Sequence, residues 1–421
     1  MKWQATKDKY KIEVSEPTVL YRGEEGDQGW GKHQFPSIHY TKSGKIRARW
    51  SYGKDYAGTR EKVFFYRLSE DGGKTWKEGN EDLRPTRHPM PNGRYYATVK
   101  PFQAPYTKEL QLERFTPAAT WMDGRCKLYF MDDLRDDPIC NQYNMNGFTF
   151  VEYDPETDRF EEFESKLNWP NSPVISFHTG FTTNPTYRFA DYDGNVIVDE
   201  DGTMFFFVQA NGFDSTADRE HAVFENFEGE NTVYVFESTD SARTWNFVSQ
   251  VHATPAVRAK GCDYQNYVSS DGYEGFNEPC LRRMPNGDYI MLMRSGMSRS
   301  LYVTYSTDRC RTWSEPEVFD GFGCLPQMVT LGCGVTVAAY GRPHLHLRHT
   351  TDPAGRVWED PIHIYVSDDE PNYRNRSCFY TGLLPVDDTT CLLIHTDFLY
   401  PNENGVGVRS VLVRRLTVTE E

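Results

Sequence analysis

The chain has 421 residues and a formal net charge of −15. This acidic balance argues against nucleic acid and anionic membranes as partners, because both would repel it. Aromatic residues make up 14% of the chain and alternate with polar ones, which is typical of half-buried β-strands. No Pro/Ser-rich linker, low-complexity run or charge block divides the sequence, so residues 1–421 are expected to form a single domain.

The start of the chain and its cysteines favour a cytoplasmic protein. The segment MKWQATKDKYKIEV is too polar for a signal peptide. The nine cysteines lack CxxC spacing, and their odd number leaves at least one unpaired, which indicates reduced thiols. No Gly-rich phosphate loop, GxSxG elbow or HExxH motif is present, and no cofactor is expected. His344 and His346 would share one face of a strand, an arrangement that is more often an ordinary strand face than a metal site.

The octet SEDGGKTW at residues 69–76 follows a strand-like run and has two close copies. STDSARTW at 238–245 and STDRCRTW at 306–313 keep Ser, Asp, Thr and Trp at the same positions, and TTDPAGRVW at 350–358 is a looser copy with one extra residue. Asp and Gly are turn formers, because Asp bonds to its own backbone and Gly tolerates positive φ. A turn that recurs after a strand predicts the blades of a propeller or array.

Six segments have the form of a short strand, a Gly- or Asp-rich turn and an apolar strand. They are 35–53, 116–133, 195–212, 277–296, 325–343 and 380–397. Six such hairpins, most followed by an outer strand, predict an all-β, six-bladed β-propeller of four-stranded blades. PTVLYRG near the N-terminus and VRSVLVRRLTV near the C-terminus are expected to close the ring in one shared blade. The unpatterned stretches, including 80–115, are expected to be loops.

The inner strands of a propeller start around one channel, so residues at their ends converge from distant parts of the sequence. Charged residues there are costly unless they are paired or used. These ends supply five candidate site residues: Asp55, Glu278, Arg294, Arg342 and Tyr380. Arginine binds a carboxylate through two parallel hydrogen bonds. Two arginines with a pair of carboxylates and a tyrosine therefore predict a site for an anionic sugar.

The octets resemble the Asp boxes of the sialidase (neuraminidase) superfamily, and the resemblance covers most of the chain. It implies a glycoside hydrolase that removes a terminal sialic acid or related acidic sugar from a glycan with retention of configuration. The segment GFNEPCLRRMPNGDYIMLMRSG resembles the family's fourth-blade segment. This similarity makes Glu278 the base partner of a tyrosine nucleophile and Arg294 a carboxylate-binding arginine.

The same resemblance assigns the remaining residues of the expected site. YGRP places Arg342 at the next arginine of the family's triad, and SCFYTGLLPVDD resembles the segment that carries the nucleophile, Tyr380. Asp55 lies where the family has its acid/base aspartate. In such a mechanism the aspartate protonates the leaving oxygen and then activates water. A neutral tyrosine avoids the repulsion that an anionic nucleophile would meet at a carboxylate-bearing anomeric carbon.

One position departs from the family. Sialidases usually begin the first blade with Phe-Arg-Ile-Pro, whereas this chain has HQFP at 33–36, so that Gln34 replaces the third arginine. Loss of one charged hydrogen bond weakens carboxylate binding by about 1.5–3 kcal/mol. Either Lys32, His33 or Arg60 supplies the missing charge, or the substrate is not an ordinary sialic acid.

Two other functions remain open. One is different sugar chemistry on the same fold: a carboxylate pair that hydrolyses a neutral sugar, or a uronate lyase in which His33 or Tyr380 takes the proton. The other is a non-catalytic glycan-binding propeller, since the fold alone does not decide function. The presence of both Glu278 and Tyr380 favours catalysis over binding. Oligomeric state is not predicted.

Overall fold

In the computed structural model of the chain, the regular structure is almost entirely β-strand. The described residues are 10–26, 31–53, 63–81, 88–100, 111–117, 119–121, 126–130, 133–134, 136–140, 147–168, 174–178, 196–211, 231–261, 275–296, 299–342, 344–365 and 376–420. Within these ranges, no helix is long and apolar enough to cross a lipid bilayer. Seven cysteines are free thiols: Cys140, Cys280, Cys310, Cys324, Cys333, Cys378 and Cys391.

Two N-terminal strands precede the first blade. They are β1 (Tyr10–Val14) and β2 (Thr18–Arg22). Blade 1 is an antiparallel meander of β3 (Gln34–Tyr40), β4 (Ile46–Tyr52), β5 (Val63–Ser69) and β6 (Lys77–Glu78). Its inner hairpin, β3–β4, is the one expected at 35–53.

Blade 2 differs from the sequence-based prediction. Its strands are β7 (His88–Pro89), β8 (Tyr95–Lys100), β11 (Gly147–Asp154) and β12 (Arg159–Asn168), in that order. The hairpin expected at 116–133 instead forms β9 (Ala119–Trp121) and β10 (Cys126–Phe130), which pair with β13 (Val174–His178) in a separate three-stranded sheet. The expectation of a loop over 80–115 is therefore wrong for β7 and β8.

The physical reason is a turn that the sequence contains twice. In blade 2 the Met90 amide donates to the Arg94 carbonyl (2.8 Å), and in blade 4 the Met284 amide donates to the Asp288 carbonyl (2.7 Å). Both turns have the sequence Met-Pro-Asn-Gly, whose glycine has positive φ. The repeated tetrapeptide marks the inner hairpin of blade 2.

Blades 3 and 4 follow the prediction. Blade 3 consists of β14 (Val196–Val198), β15 (Met204–Asn211), β16 (Asn231–Ser238) and β17 (Thr244–Val251). A one-turn helix, α1 (Pro255–Arg258), precedes blade 4, which contains β18 (Asn277–Arg283), β19 (Tyr289–Arg294), β20 (Leu301–Ser306) and β21 (Glu317–Asp320). The outer strands β12 and β17 pair in parallel, which joins blades 2 and 3 into one sheet.

The ring closes in the last blade. Blade 5 consists of β22 (Cys324–Thr330), β23 (Thr336–Gly341), β24 (Leu345–Thr350) and β25 (Ile362–Tyr365). Blade 6 consists of β26 (Gly382–Pro385), β27 (Thr390–Pro401) and β28 (Gly407–Glu420). Both β1 and β2 pair antiparallel with β28, so the expected joining of the two chain ends is confirmed.

The octets form nearly identical turns. In each, the serine hydroxyl donates to the aspartate two residues on at 2.8 Å, and the threonine amide donates to the same carboxylate at 2.9 Å; the aspartates are Asp71, Asp240 and Asp308. Trp245 is fully buried, whereas Trp76 and Trp313 are partly buried. Because each octet follows the third strand of its blade, it lies at the strand end opposite to the start of the inner strand.

Candidate functional site

Three inner strands begin with the same β-bulge. In blades 1, 4 and 5 the strand register skips two residues directly after the first pair. The bulge contains a residue with positive φ followed by proline: Phe35 (φ 54), Glu278 (φ 43) and Leu325 (φ 37). Positive φ is uncommon for residues other than glycine, and backbone strain of this kind often accompanies functional sites. Blade 6 has a left-handed residue, Phe379 (φ 63), at its own approach to the axis.

Each of the three bulges is held by a side chain from the preceding blade. The Glu278 amide donates to Gln209 Oε1 of blade 3, and the Leu325 amide donates to Glu278 Oε2 of blade 4 (2.8 Å). The Phe35 amide contacts the Cys378 thiol of blade 6. A backbone amide that is buried without a partner costs free energy, so these contacts stabilise the bulges and connect neighbouring blades at the axis.

Glu278 lies at the centre of this arrangement and is only 2% exposed. Its Oε1 accepts hydrogen bonds from the Tyr380 hydroxyl and from Arg294 Nη1 (2.7 Å). Its Oε2 accepts from the Leu325 amide. A buried carboxylate needs such partners, because its loss of hydration costs several kcal/mol. The structure therefore brings together Glu278, Tyr380 and Arg294, which we name the site triad.

Tyr380 is half-buried and its chain segment is anchored on β27. The ring of Phe35 meets the Tyr380 ring edge-on, with centroids 5.0 Å apart. The Ser377 hydroxyl donates to the Thr396 carbonyl (2.9 Å), and the Phe379 amide donates back to Ser377 Oγ (2.9 Å). The hydroxyl of Tyr380 is thus held against Glu278 on a fixed backbone.

The two arginines are both nearly buried. Arg294 donates through Nε to the Gly296 carbonyl (3.1 Å) in addition to its bond with Glu278. Arg342 follows β23 directly, is 5% exposed and has a φ of 69°. Burial raises the pKa of the Cys324 thiol to about 12, and the positive charges of Arg342 and Arg294 act against this rise. Gly341, which directly precedes Arg342, is the register partner of Cys324, so Arg342 lies beside the start of β22.

Gln34 occupies the first position of β3, opposite Ser51. It is fully buried, and neither its amide oxygen nor its amide nitrogen has a hydrogen-bond partner among the described residues. The same bulge position holds Asn277 in blade 4 and Cys324 in blade 5, which are also buried. The first residues of these three inner strands are therefore uncharged.

Of the residues expected to compensate for Gln34, the structure describes Lys32 and His33. His33 stacks on Tyr21 with ring centroids 3.8 Å apart, and its Nδ1 accepts a hydrogen bond from Trp50 Nε1 (3.0 Å). An accepting Nδ1 carries no proton, so the ring is neutral in this arrangement. The Lys32 carbonyl accepts from Arg409 Nη1 (2.9 Å). Asp55 and Arg60 lie outside the described residues.

Sequence reasoning missed Gln209 and the amide of Leu325. Gln209 lies in the segment 195–212 that was assigned to an inner hairpin, near the end of β15 on the side of the site. Its position in the blade was the available signal, because Gln209 and Arg294 both lie near the end of the second strand of their blades. The sequence does contain a signal for the amide of Leu325. A residue followed by proline recurs near the start of three inner strands, at 35–36, 278–279 and 325–326.

The histidines of blade 5 form a cluster of neighbouring rings. His346 pairs across the strands with His363, and their ring centroids are 4.9 Å apart. Burial lowers the pKa of His346 to about 3, so its ring is neutral at physiological pH. Within the described residues, no three His, Cys, Asp or Glu side chains are placed to hold a metal ion.

Comparison with known proteins identifies the fold. No protein-family model matches the chain, and no curated protein matches it. A solved structure of a protein of unknown function from Dyadobacter fermentans is similar over 97% of this chain and 99% of its own, with 15% identity and a TM-score of 0.57. This likeness shows a shared fold.

Two weaker likenesses are to glycoside-processing proteins. The α-L-arabinanase of Penicillium chrysogenum aligns over 95% of this chain and 98% of its own, with 14% identity and a TM-score of 0.47. The NanB sialidase of Streptococcus pneumoniae aligns over 95% of this chain and 70% of its own, with 11% identity and a TM-score of 0.47. At such identities the likeness does not extend to activity.

Proposed function

We propose that the chain is a retaining exo-glycosidase that removes a terminal sialic acid or related acidic sugar from a glycan, with Tyr380 as nucleophile. The observation that carries this proposal is the hydrogen bond from the Tyr380 hydroxyl to Glu278, a buried carboxylate that also binds Arg294. A tyrosine in contact with a fixed carboxylate has a proton acceptor ready for nucleophilic attack.

The first step forms a glycosyl-tyrosine. Tyr380 Oη attacks the anomeric carbon while its proton passes to Glu278 Oε1, and the bond to the leaving oxygen breaks. Asp55 is the proposed donor of a proton to that oxygen, on the basis of sequence resemblance. In the second step water attacks the anomeric carbon, Asp55 takes its proton, and Glu278 returns the first proton to Tyr380.

The arginines would favour an anionic substrate. Arg294 and Arg342 supply two positive charges to a buried site in which Glu278 supplies one negative charge. A substrate carboxylate would be stabilised there by charge-assisted hydrogen bonds. The same positive charges lower the pKa of a substrate carboxyl group, so they favour binding of its ionised form.

A second candidate substrate is a neutral sugar, and Gln34 favours it. Where an arginine would bind a carboxylate, this chain has a fully buried amide that bonds to none of the residues the structure describes. An amide both donates and accepts hydrogen bonds, which suits a hydroxyl group as well as it suits a carboxylate. The fold and the triad of Glu278, Tyr380 and Arg294 would serve either substrate.

The proposal is tested by products released from three glycan sets: sialylated, uronate-containing and arabinan. Free sialic acid with initial retention of configuration, followed by NMR, is the expected result. Release of a neutral sugar with retention would select the second candidate. An unsaturated product would indicate a lyase instead, and binding without any product would indicate a non-catalytic propeller.

A further inference from the structure

The carboxylate of Glu278 depends on a backbone conformation that is intrinsically unfavourable. Glu278 has a φ of 43°, in the left-handed region, and Pro279 follows it directly. Because a side chain with a Cβ is strained at such angles, the conformation persists only where its surroundings hold it. Any residue that holds the Glu278 backbone also fixes the direction of its carboxylate.

The contact that holds this backbone comes from another blade. The Glu278 amide donates to Gln209 Oε1, on the second strand of blade 3, and Gln209 is 7% exposed. An amide donor accepts no hydrogen bond in return, so the bonded Gln209 atom must be the oxygen. The Gln209 side chain is thus a buried acceptor aimed at the strained bulge.

We infer that Gln209 is a positioning residue, which keeps Glu278 left-handed and so directs its carboxylate to the Tyr380 hydroxyl. Its role in turnover rests on the proposed function. Without the acceptor, the Glu278 amide would be buried and unbonded, and the bulge would relax toward an ordinary extended strand. The carboxylate would then move away from Tyr380, and a displacement of about 1 Å costs about 100-fold in rate.

Two substitutions separate this role from a general effect on stability. Gln209→Met keeps the length of the side chain but removes the acceptor, whereas Gln209→Glu keeps an oxygen in place. Gln327→Met is the matched control, because within the described part of the chain the Gln327 side-chain amide donates only to the neighbouring Pro326 carbonyl (3.0 Å). All three variants exchange a glutamine in the inner hairpin of a blade.

The first measurement needs no substrate. Hydrogen exchange is followed by mass spectrometry on peptides that span 276–280, where Pro279 has no amide and the signal of Glu278 is easily isolated. Loss of one buried hydrogen bond should speed exchange of the Glu278 amide about tenfold in Gln209→Met. Exchange should stay at the wild-type rate in Gln209→Glu and in the control. Wild-type protection in Gln209→Met would overturn the inference.

The second measurement tests the consequence for the carboxylate. In a crystal structure of Gln209→Met, the Tyr380 hydroxyl should lie beyond hydrogen-bond distance of Glu278; an intact bond there would overturn the inference. On whichever sugar the wild type releases, kcat should fall about 10- to 100-fold in Gln209→Met with little change in KM, and Gln209→Glu should restore it. If the wild type releases no sugar, the proposed function fails, while exchange and crystal structure still decide the role of Gln209.

Discussion

Among the described residues, two sets of glutamate, tyrosine and arginine are each built around a buried glutamate, and they differ in where their members come from. The site triad joins Glu278 and Arg294 of blade 4 to Tyr380 of blade 6. The second set, which we name the turn triad, consists of Glu152, Tyr96 and Arg94, all in blade 2. Glu152 accepts from the Tyr96 hydroxyl (2.5 Å) and from Arg94, and Tyr96 is its direct partner in the strand register.

Their surroundings also differ. Tyr96 is 1% exposed, and burial raises its pKa to about 12, so its hydroxyl is held as a neutral donor inside the blade. Tyr380 is only half-buried, and its partner Glu278 lies on a strained bulge rather than a regular strand. The same three types of side chain therefore stabilise a single blade where all of them come from that blade. They make a candidate site where distant blades converge and the tyrosine can be reached.

The largest expected effect comes from replacing the two glutamates in parallel. Glu278→Gln removes the proton acceptor of Tyr380 but keeps the shape of the side chain, so kcat should fall by about 100- to 10,000-fold. Glu152→Gln should leave kcat within about threefold, because the turn triad lies at the β7–β8 turn, at the strand end opposite to the start of the inner strand. Sugar release and thermal unfolding of both variants are compared. Equal losses of activity would contradict the distinction between the two triads.

A tenfold effect on KM is expected from a substitution of Gln34, and it distinguishes between the two candidate substrates. If the substrate is a sialic acid, Gln34→Arg adds a charged hydrogen bond worth about 1.5–3 kcal/mol and should lower KM for a fluorogenic sialoside at least tenfold. Gln34→Leu, of similar volume, is the control for disturbed packing. A wild type without sialoside activity, unrescued by Gln34→Arg, would favour the neutral-sugar candidate.

A smaller effect, on stability alone, is expected at the octets. The carboxylate of Asp71 accepts from the amides of Lys74 and Thr75, as the side chain of a helix cap does. Asp71→Ala should therefore lower the free energy of unfolding by about 1 kcal/mol with kcat unchanged. Glu70→Ala is the control, since Glu70 is an exposed neighbour whose side chain pairs, among the described residues, only with Lys45 and Lys77. Lost activity at unchanged stability would make the turn part of the site.

The smallest expected effect is a pH dependence of the stability that the octet turns contribute. The Thr312 hydroxyl and the Thr312 amide lower the pKa of Asp308 to about 2, from an ordinary value of 3.8. A carboxyl group whose pKa is lowered in the folded state stabilises the protein at pH values above its ordinary pKa. This contribution is lost as the pH falls through 4 toward 2. The difference in Tm between wild type and Asp308→Ala should therefore shrink between pH 5 and pH 2. A constant difference would assign the stabilisation to packing.

The sequence predicted the features that repeat and missed those that depend on one contact between blades. The octets and five of the six inner hairpins follow local turn chemistry, which each segment carries in itself. Blade 2 was misassigned because β7 has only two residues, while the inserted β9–β10 hairpin has a stronger strand pattern. Gln209 has no local pattern, since its role arises only where blade 3 meets Glu278.

In the proposed mechanism, Tyr380 forms a covalent bond with the sugar. Trapping this bond is the most direct test of that mechanism. A fluorinated glycosyl fluoride of the released sugar slows hydrolysis of the covalent intermediate, so peptide mass spectrometry can locate the attached sugar. We expect one glycosyl group on Tyr380, none in Tyr380→Phe, and normal labelling in Tyr96→Phe. A sugar attached to a carboxylate, or labelling that persists in Tyr380→Phe, would contradict it.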